Sequence, residues 1–362
     1  MMVAKLPQRI LSQARLLLPM AFALIVGCTV EQRDRIPEAL ELRQEAVFGQ
    51  LDGEPHQVFG RIADVSAGPG DTFVLLDEQG RSVWWMDQTG EPVAGLTERG
   101  SGPGELERPR ALDVSEAGRV TVFDPGRGHY GVYDLTSGIF QFTGSFEAVG
   151  QEAALGRHMC SVGDRLYLRS VDGGDLIQEI GPNGDIVRSF GSVEPASPET
   201  FGPAAPMVEA IRNSGHLGCF PDLGIVVSVG RYLPHVRAFS LEGGEVWEVE
   251  PTGLRLIGFG PGVGVNYVVD GESGSHLGES LVRWDDETLV VQYSVSWPDS
   301  VPAQDRGRDH FAVDSRLIDI RSGREIARTD QLPFIVDSKS DRFFGFRNLP
   351  VPQVLMFRKD PP

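Results

Sequence analysis

The clearest pattern of apolar and polar positions lies between Arg99 and Asp134. Apolar residues recur there with a period of two in short runs, and Gly, Pro and Asp bound each run. The runs are Arg110-Ala-Leu-Asp-Val114, Arg119-Val-Thr-Val-Phe-Asp124 and Tyr130-Gly-Val-Tyr-Asp134. This pattern predicts β-strands joined by hairpins. No apolar set in the stretch recurs every three and four residues, which argues against helices.

The same order of strands and turns occurs once upstream. It comprises Ile62-Ala-Asp-Val65, Thr72-Phe-Val-Leu-Leu-Asp77 and Val83-Trp-Trp-Met-Asp87. The Asp that closes the second strand stands at 77 in one copy and at 124 in the next, a step of 47 residues. Such a period is typical of the four-stranded blades of a β-propeller. We expect Asp77 and Asp124 to accept hydrogen bonds from turn backbone rather than to act as an acid and a base.

The loop between the two copies, Gly100-Ser-Gly-Pro-Gly-Glu-Leu-Glu-Arg-Pro109, resembles the bacterial six-bladed β-propeller lipoproteins of the NHL-like type. The resemblance is specific over about residues 43–138 and diffuse beyond them. It implies a fold and a cellular location, but no single activity. The chain of 362 residues accommodates six blades of about 50 residues each. We therefore predict an all-β fold, a six-bladed β-propeller.

The two ends of the chain predict how the ring closes. The last blade has three apparent strands, Pro333–Val336, Phe343–Phe346 and Gln353–Phe357. An N-terminal strand over Leu42–Phe48 would supply its fourth and remove an exposed sheet edge. Between blades three and four, residues 192–214 break the strand rhythm and predict an insertion with one or two helical turns.

The first 27 residues have the organisation of a targeting segment. Lys5, Arg9 and Arg15 precede an apolar run over residues 16–27 that is too short to span a membrane comfortably. Ile25-Val-Gly-Cys28 resembles the lipobox of bacterial lipoproteins, so Cys28 is the expected lipidation site. The alternative is an ordinary secretory signal with an incidental Cys. We therefore divide the chain into a signal peptide (1–27), a tether (28–41) and the propeller (42–362).

The charge balance argues against nucleic acids as partners. The net charge of −18 becomes −21 once the three basic residues of the signal peptide are removed. A surface with this charge repels the phosphates of nucleic acids. It also argues against a basic membrane-binding patch, so any membrane attachment would depend on the lipid at Cys28.

Three histidines stand at equivalent places in successive blades. His158, His216 and His276 each occupy the start of a predicted innermost strand. If their imidazoles converge at one mouth of the channel, they would hold a divalent metal such as zinc with one open coordination position. An amidating lyase with an NHL-like propeller, which the chain resembles only in this placement, has such three-histidine sites. The alternative is that each histidine caps a strand or binds water.

Two further cysteines lie on the predicted inner strands of blades three and four. With Cys28 lipidated, Cys160 and Cys219 remain as an even number in an oxidising compartment. They would form a disulfide if their Cα atoms lie within about 7 Å. Two buried free thiols and metal ligation remain as alternatives, because inner strands of different blades often lie farther apart.

The sequence lacks Gly-x-Ser-x-Gly, His-Glu-x-x-His and Walker motifs. We therefore predict a non-catalytic, lipid-anchored binding or scaffolding module of the cell envelope, at the outer membrane and facing the periplasm or the exterior. The expected partner is a protein or a small molecule bound at a channel mouth, and the expected oligomeric state is a monomer. The alternative function is a metal-dependent lyase or hydrolase that uses the three histidines.

Overall fold

The structure is a computed structural model, which describes residues 40–148, 157–261, 266–268, 275–296 and 311–359. The predicted signal peptide, the lipidation site Cys28 and most of the tether lie outside the described residues. The polar segment 298–309 of blade five lies outside them as well. Within the described part of the chain, no helix is long and apolar enough to cross a membrane.

The described residues form six four-stranded antiparallel sheets, and each sheet is one blade of a six-bladed β-propeller. The first strand of the described residues is β1 (Leu42–Phe48), which belongs to the last blade. Blade one contains β2 (Ile62–Ala67), β3 (Thr72–Asp77), β4 (Ser82–Asp87) and β5 (Pro92–Leu96). Blade two contains β6 (Ala111–Val114), β7 (Arg119–Asp124), β8 (His129–Thr136) and β9 (Ile139–Glu147). The two copies of the sequence repeat are thus the first two blades.

The middle of the chain adds two blades and a helical insertion. Blade three contains β10 (Met159–Val162), β11 (Arg165–Asp172), β12 (Asp175–Ile180) and β13 (Ile186–Ser192). The insertion contains α1 (Pro198–Phe201), a 3₁₀ turn (Gly202–Ala204) and α2 (Ala205–Arg212). Blade four contains β14 (Gly215–Phe220), β15 (Ile225–Gly230), β16 (Val236–Ser240) and β17 (Glu245–Val249). The insertion predicted over residues 192–214 is confirmed, and its helical part is longer than predicted.

The C-terminal third completes the ring. A short hairpin of β18 (Gly258–Gly260) and β19 (Asn266–Val268) precedes blade five. Blade five contains β20 (His276–Arg283), β21 (Thr288–Ser296), β22 (Phe311–Asp319) and β23 (Glu325–Thr329). Blade six contains β24 (Asp337–Lys339), β25 (Arg342–Arg347), β26 (Gln353–Lys359) and the N-terminal strand β1.

The predicted closure by an N-terminal strand is confirmed. Strand β1 pairs antiparallel with β26 over Leu42 to Phe48 and is the outermost strand of blade six. The ring of Phe48 stacks on Phe73 of blade one at a centroid distance of 5.2 Å. The strand therefore covers the edge of β26 and also packs against the neighbouring blade.

One strand boundary in blade six was predicted wrongly. Residues 333–336 form no strand, and the inner strand begins at Asp337. Ile335 and Val336 are nevertheless buried in the core. The backbone N–H of Ile335 donates to the Oε1 of Gln292 in blade five, 2.8 Å away, instead of to a neighbouring strand. The apolar run reflected this burial, which an extended segment can achieve without pairing in a sheet.

The core consists of apolar layers between neighbouring blades. Val74 and Leu76 of blade one pack with Leu112 and Val122 of blade two. The same kind of layer joins the other blades, because each sheet turns one apolar face to each neighbour. The first strands of the blades, β2, β6, β10, β14, β20 and β24, contact one another in turn around the channel.

Asp77 and Asp124 have the same structural role in blades one and two. Asp77 accepts hydrogen bonds from the backbone N–H groups of Gly60, Arg61 and Gly80, at 2.8 to 2.9 Å. Asp124 accepts them from Glu107, Arg108 and Gly126, at 2.6 to 3.0 Å. Each carboxylate joins the loop that enters its blade to the turn after the second strand. The predicted bonding of both residues to turn backbone is confirmed.

Candidate functional site

The inner strands surround a central channel with a cavity at each end. The cavity at the end where these strands begin has a volume of about 250 Å³, and we call it the basic mouth. Its charged lining residues are Arg61, Arg110, Arg157, Arg231, Asp64, Glu78 and Glu279. The cavity at the end where the inner strands finish, the acidic mouth, also has a volume of about 250 Å³. Its charged lining residues are Asp113, Glu116, Asp222, Asp337, Arg157 and Arg283.

Arg157, just before β10, lines both mouths. Its Nη2 lies 2.8 Å from Oδ1 of Asp64 in blade one, and its Nη1 lies 3.2 Å from Oδ2 of Asp337 in blade six. The guanidinium also donates to the carbonyl of Val65. Burial alone would lower the pKa of Arg157, but the two carboxylates raise it well above its ordinary value. The charged side chain therefore bridges three blades and separates the two mouths.

Serine and aspartate side chains link neighbouring blades at the acidic mouth. The hydroxyl of Ser66 in blade one donates to Oδ2 of Asp337 in blade six, at 2.7 Å. The hydroxyl of Ser161 in blade three donates to Asp113 in blade two. Burial raises the pKa of Asp113 to about 6, although the bond from Ser161 opposes this rise. Each serine is thus bonded to an aspartate of a neighbouring blade, beside Arg157 in the lining of this mouth.

Two partly exposed arginines stand at the rim of the basic mouth. Arg61 directly precedes β2 and Arg110 directly precedes β6, and their side chains are 61% and 40% exposed. Both contact the less exposed carboxylate of Glu78. Nη1 of Arg110 lies 2.6 Å from Oε1, whereas Nε of Arg61 lies 3.6 Å from Oε2. Two cations therefore share one anion, and Arg61 is held the more loosely.

A second ion pair lies deeper in the basic mouth. Arg231 binds Glu279 through both terminal nitrogens, at 2.7 and 3.1 Å. The hydroxyl of Ser294 donates to the same carboxylate at 2.8 Å. Two parallel bonds between a guanidinium and a carboxylate fix the orientation of both groups. This wall of the cavity is thus built before any ligand enters.

The arginines of the basic mouth were not among the residues predicted from the sequence. An Arg stands just before the inner strand in three successive blades, in Arg61-Ile62, Arg110-Ala111 and Arg157-His158. The recurrence was visible in the sequence. Only the histidines near the inner strands were considered as site residues of the channel mouth.

His216 and His276 lie at the starts of their inner strands, but their ring nitrogens contact different groups. In His216, Nδ1 accepts from the backbone N–H of Arg157 at 3.2 Å, and Nε2 lies 3.1 Å from the carbonyl oxygen of Gly278. In His276, Nδ1 accepts from the backbone N–H of Arg255 at 3.2 Å, and Nε2 lies 3.3 Å from Oδ2 of Asp314. Burial lowers the pKa of His216 to about 3, so its ring is neutral at neutral pH.

The structure does not support the predicted metal site at His158, His216 and His276. Nε2 of His158 lies 3.0 Å from the hydroxyl of Tyr130. The three rings are buried, and each faces partners of its own. Among the described residues, no group of three or more His, Cys, Asp or Glu side chains is arranged to hold a metal ion. The three histidines do lie at or next to the starts of their inner strands, but each ring contacts partners of its own.

Cys160 and Cys219 are joined by a disulfide, with an S–S distance of 2.06 Å and Cα atoms 5.6 Å apart. The bond links β10 of blade three to β14 of blade four, and both residues line the acidic mouth. Of the three alternatives that the sequence left open, the structure contains the disulfide. The two inner strands contact each other beside the channel, where the blades converge, and this brings the two thiols within bonding distance.

Comparison with known proteins identifies the fold but no family. No protein-family model matches the chain, and no curated protein is similar to it at a meaningful level. Among solved structures, a protein named as exported from Bacteroides fragilis aligns over 89% of this chain and 95% of its own, with 12% identity and a TM-score of 0.59. A member of the DUF4221 family from Bacteroides vulgatus aligns over 88% and 97%, with 7% identity and a TM-score of 0.56. At these identities the likeness concerns the fold alone.

Proposed function

We propose that this chain is a non-catalytic binding module, and that its basic mouth receives a carboxylate group of the ligand. The observation that carries this proposal is the pair of exposed arginines, Arg61 and Arg110, above a cavity of about 250 Å³. The guanidinium group offers paired donors whose geometry matches a carboxylate. A cavity of this size admits one acidic side chain or one small acid.

The charge of the mouth supports an anionic ligand. The whole chain carries a net charge of −18, yet four arginines and three carboxylates line this cavity. Arg157 and Arg231 are already paired with buried or half-buried carboxylates. Arg61 has the longest ion pair of the four, so it is the cation most available to a ligand. Its exposure lets it turn toward the cavity at little cost.

The chemistry of the lining favours binding over catalysis. The charged groups of the basic mouth are arginines and carboxylates that form ion pairs with one another, and His216 has both ring nitrogens occupied. Among the described lining residues, no Ser, Thr or Cys stands next to a free base, as a nucleophile would require. Such a site recognises a ligand through charge and shape.

Calorimetric titration of the mature protein tests the proposal. The probes are succinate and a capped triglutamate peptide, which represent a small acid and an acidic polypeptide. Arg61→Gln and Arg110→Gln should each weaken the binding of the preferred probe roughly tenfold, since a charge-assisted bond contributes about 1.5 kcal/mol. Arg119→Gln is the matched control, because Arg119 is also partly exposed and paired but lines a different cavity.

Each outcome of the titration has a defined meaning. Tighter binding of the peptide would identify a polypeptide partner, and tighter binding of succinate would identify a small acid. The proposal fails if neither probe binds at millimolar concentration, or if the control weakens binding as much as the two rim variants do.

The proposal includes attachment to the cell envelope. The sequence Ile25-Val-Gly-Cys28 would place lipid on Cys28, and residues 29–41 would then link the lipid to β1. The acidic net charge would keep the propeller away from anionic lipid headgroups, so the acyl chains would be its sole attachment. The basic mouth would remain open to ligands in the periplasm or outside the cell.

A further inference from the structure

A small cavity lies between blades three and four, away from the channel. Its volume is about 80 Å³. The residues that matter in it are Arg169 of β11, Ser228 of β15, Arg237 of β16, Asn213 at the end of the insertion, and the carboxylates of Glu194 and Glu248. Nothing in the proposed function involves this cavity.

Arg169 is a buried cation that forms no ion pair with any described residue. Only 6% of the residue is exposed to solvent. Nε donates to the backbone carbonyl of Asn213 at 2.7 Å, and Nη1 donates to the hydroxyl of Ser228. Among the described residues, no carboxylate lies within ion-pair distance of this guanidinium. Both of its acceptors are neutral, so its charge is uncompensated in a region of low dielectric.

A second deeply buried arginine, Arg316, provides a comparison within the described residues. Arg316 of β22 is fully buried, and it binds Asp314 at 2.9 Å and Glu325 at 2.7 Å. The fold thus supplies two carboxylates to that guanidinium and none to Arg169. Burial lowers the pKa of Arg169 to about 9, and repulsion from Arg237 contributes to this shift. The arginine is still charged at pH 7, and no ion pair with a described residue compensates its charge.

We propose that the cavity beside Arg169 binds a small monovalent inorganic anion, of which chloride is the representative. The volume of about 80 Å³ admits a single small ion. Arg237 contributes a second positive group on the same wall, although Glu245 already pairs with it at 2.6 Å. The carboxylates of Glu194 and Glu248 also face the cavity, and they would repel a divalent anion such as phosphate more strongly than chloride.

The ion would stabilise the junction that carries the insertion. Arg169 is bonded to the backbone of Asn213, whose side-chain amide donates to the carbonyl of Glu194 and accepts from the N–H of the same residue. The bond to Ser228 reaches blade four. A bound anion would therefore compensate the charge at a point where blade three, blade four and the insertion meet.

Thermal unfolding of the mature protein in two salts tests the proposal. The salts are sodium chloride and sodium isethionate at equal ionic strength, because the isethionate anion is too large for the cavity. A ligand that binds only the folded state raises the melting temperature by mass action. We expect the wild-type protein to melt about 2–4 °C higher in chloride. This difference should disappear in Arg169→Gln and persist in Arg119→Gln, whose side chain lies outside the cavity.

A second measurement does not require the variant to fold. Crystals of the wild-type protein grown in sodium bromide should show an anomalous bromide peak beside the guanidinium of Arg169. Equal melting temperatures of the wild-type protein in the two salts, or bromide found at other positions only, would overturn the proposal. Arg61→Gln and Arg110→Gln should retain the chloride effect, so its failure would be distinct from failure of the carboxylate site.

Discussion

At the scale of single residues, several buried charges fix the loops and blades of this propeller in position. Asp77 and Asp124 bind three backbone N–H groups each, and Arg157 binds two aspartates from different blades. Burying a charge destabilises the folded state unless hydrogen bonds or ion pairs compensate for the lost hydration. Removing one partner therefore leaves the other buried and unpaired, which lowers the free energy of unfolding. The first two predictions concern the stability that such a group contributes and the direction in which stability changes with pH.

The first prediction concerns Asp124, which is almost fully buried. Asp124→Ala removes the acceptor of three backbone N–H groups and should lower the free energy of unfolding by about 2–3 kcal/mol. Asp124→Asn should recover part of this loss, because one amide oxygen can still accept from Arg108 and Gly126. Urea denaturation measures both. The control is Asp134→Ala, which removes a half-exposed ion pair and should cost less than about 1 kcal/mol. A similar loss in the control and in Asp124→Ala would refute the assigned role.

The second prediction concerns the pH dependence of stability. The pKa of His216 is about 3 in the folded protein, below its ordinary value of 6.5. Between these values the unfolded chain holds a proton that the folded protein does not, so stability falls as the pH decreases through this window. His216→Gln should therefore reduce the drop in melting temperature between pH 7 and pH 5.

Asp113 provides a comparison of opposite sign. Its pKa is about 6 in the folded protein, above its ordinary value of 3.8, so the folded state holds the additional proton in that window. Acidification through it stabilises the folded state, and Asp113→Asn should enlarge the drop between pH 7 and pH 5. Identical pH profiles for the wild-type protein and both variants would contradict these assignments.

At the scale of secondary-structure elements, β1 determines whether the ring is closed. It pairs with β26 along its whole length, and Phe48 packs on blade one. Without it, β26 would have an exposed edge, which is a site for pairing with other chains. Blades one to five each contain four strands that are consecutive in the sequence, whereas blade six combines the two ends of the propeller.

The third prediction compares two deletions at the N-terminus. Removing residues 41–50 should lower the melting temperature by about 10 °C or more and promote aggregation, because a paired strand and its packing are lost. Removing residues 29–38 should change the melting temperature little, because it shortens the predicted tether. Calorimetry and light scattering of the two proteins give the answer. Equal melting temperatures would mean that β1 contributes nothing to closure.

At the scale of the whole molecule, charge distinguishes the two ends of the channel. The chain is acidic overall, and the channel has a basic mouth at one end and an acidic mouth at the other, with Arg157 between them. An acidic protein approaches an acidic membrane surface unfavourably. This charge is consistent with our proposal that a lipid at Cys28 provides the attachment to the envelope.

The fourth prediction tests that attachment in bacterial cells that express the full chain. Cys28→Ala should release the protein from the membrane fraction into the soluble fraction, because no acyl chain could be added. Fractionation with a carbonate wash, followed by immunoblotting, measures the distribution. Cys160→Ala is a suitable control, because it removes a cysteine of the propeller and leaves the lipobox intact. A Cys28→Ala protein that still sediments with membranes would exclude the lipid anchor.

Several features of this protein were determined by local sequence alone. The period-two runs and the turn residues between them predicted the blades, the repeat gave their spacing, and the missing fourth strand of blade six predicted its closure by Leu42–Phe48. The role of Asp77 and Asp124 could be predicted as well, because their partners lie within 17 residues along the chain. The strands, the turns and the two aspartates depend on neighbouring residues, whose backbone geometry restricts what each side chain can reach. The closure joins distant residues, and it was predictable because blade six lacked one strand.

The candidate sites were decided only by the tertiary structure. Arg157 meets Asp64 across 93 residues of sequence, Ser66 meets Asp337 across 271, and Cys160 meets Cys219 across 59. The sequence placed the three histidines correctly at the starts of inner strands, but it could not show that their rings turn toward separate partners. Whether side chains on different blades converge depends on the rotation of each strand and on the packing between blades. These quantities are set by the closed ring as a whole, and no local pattern contains them.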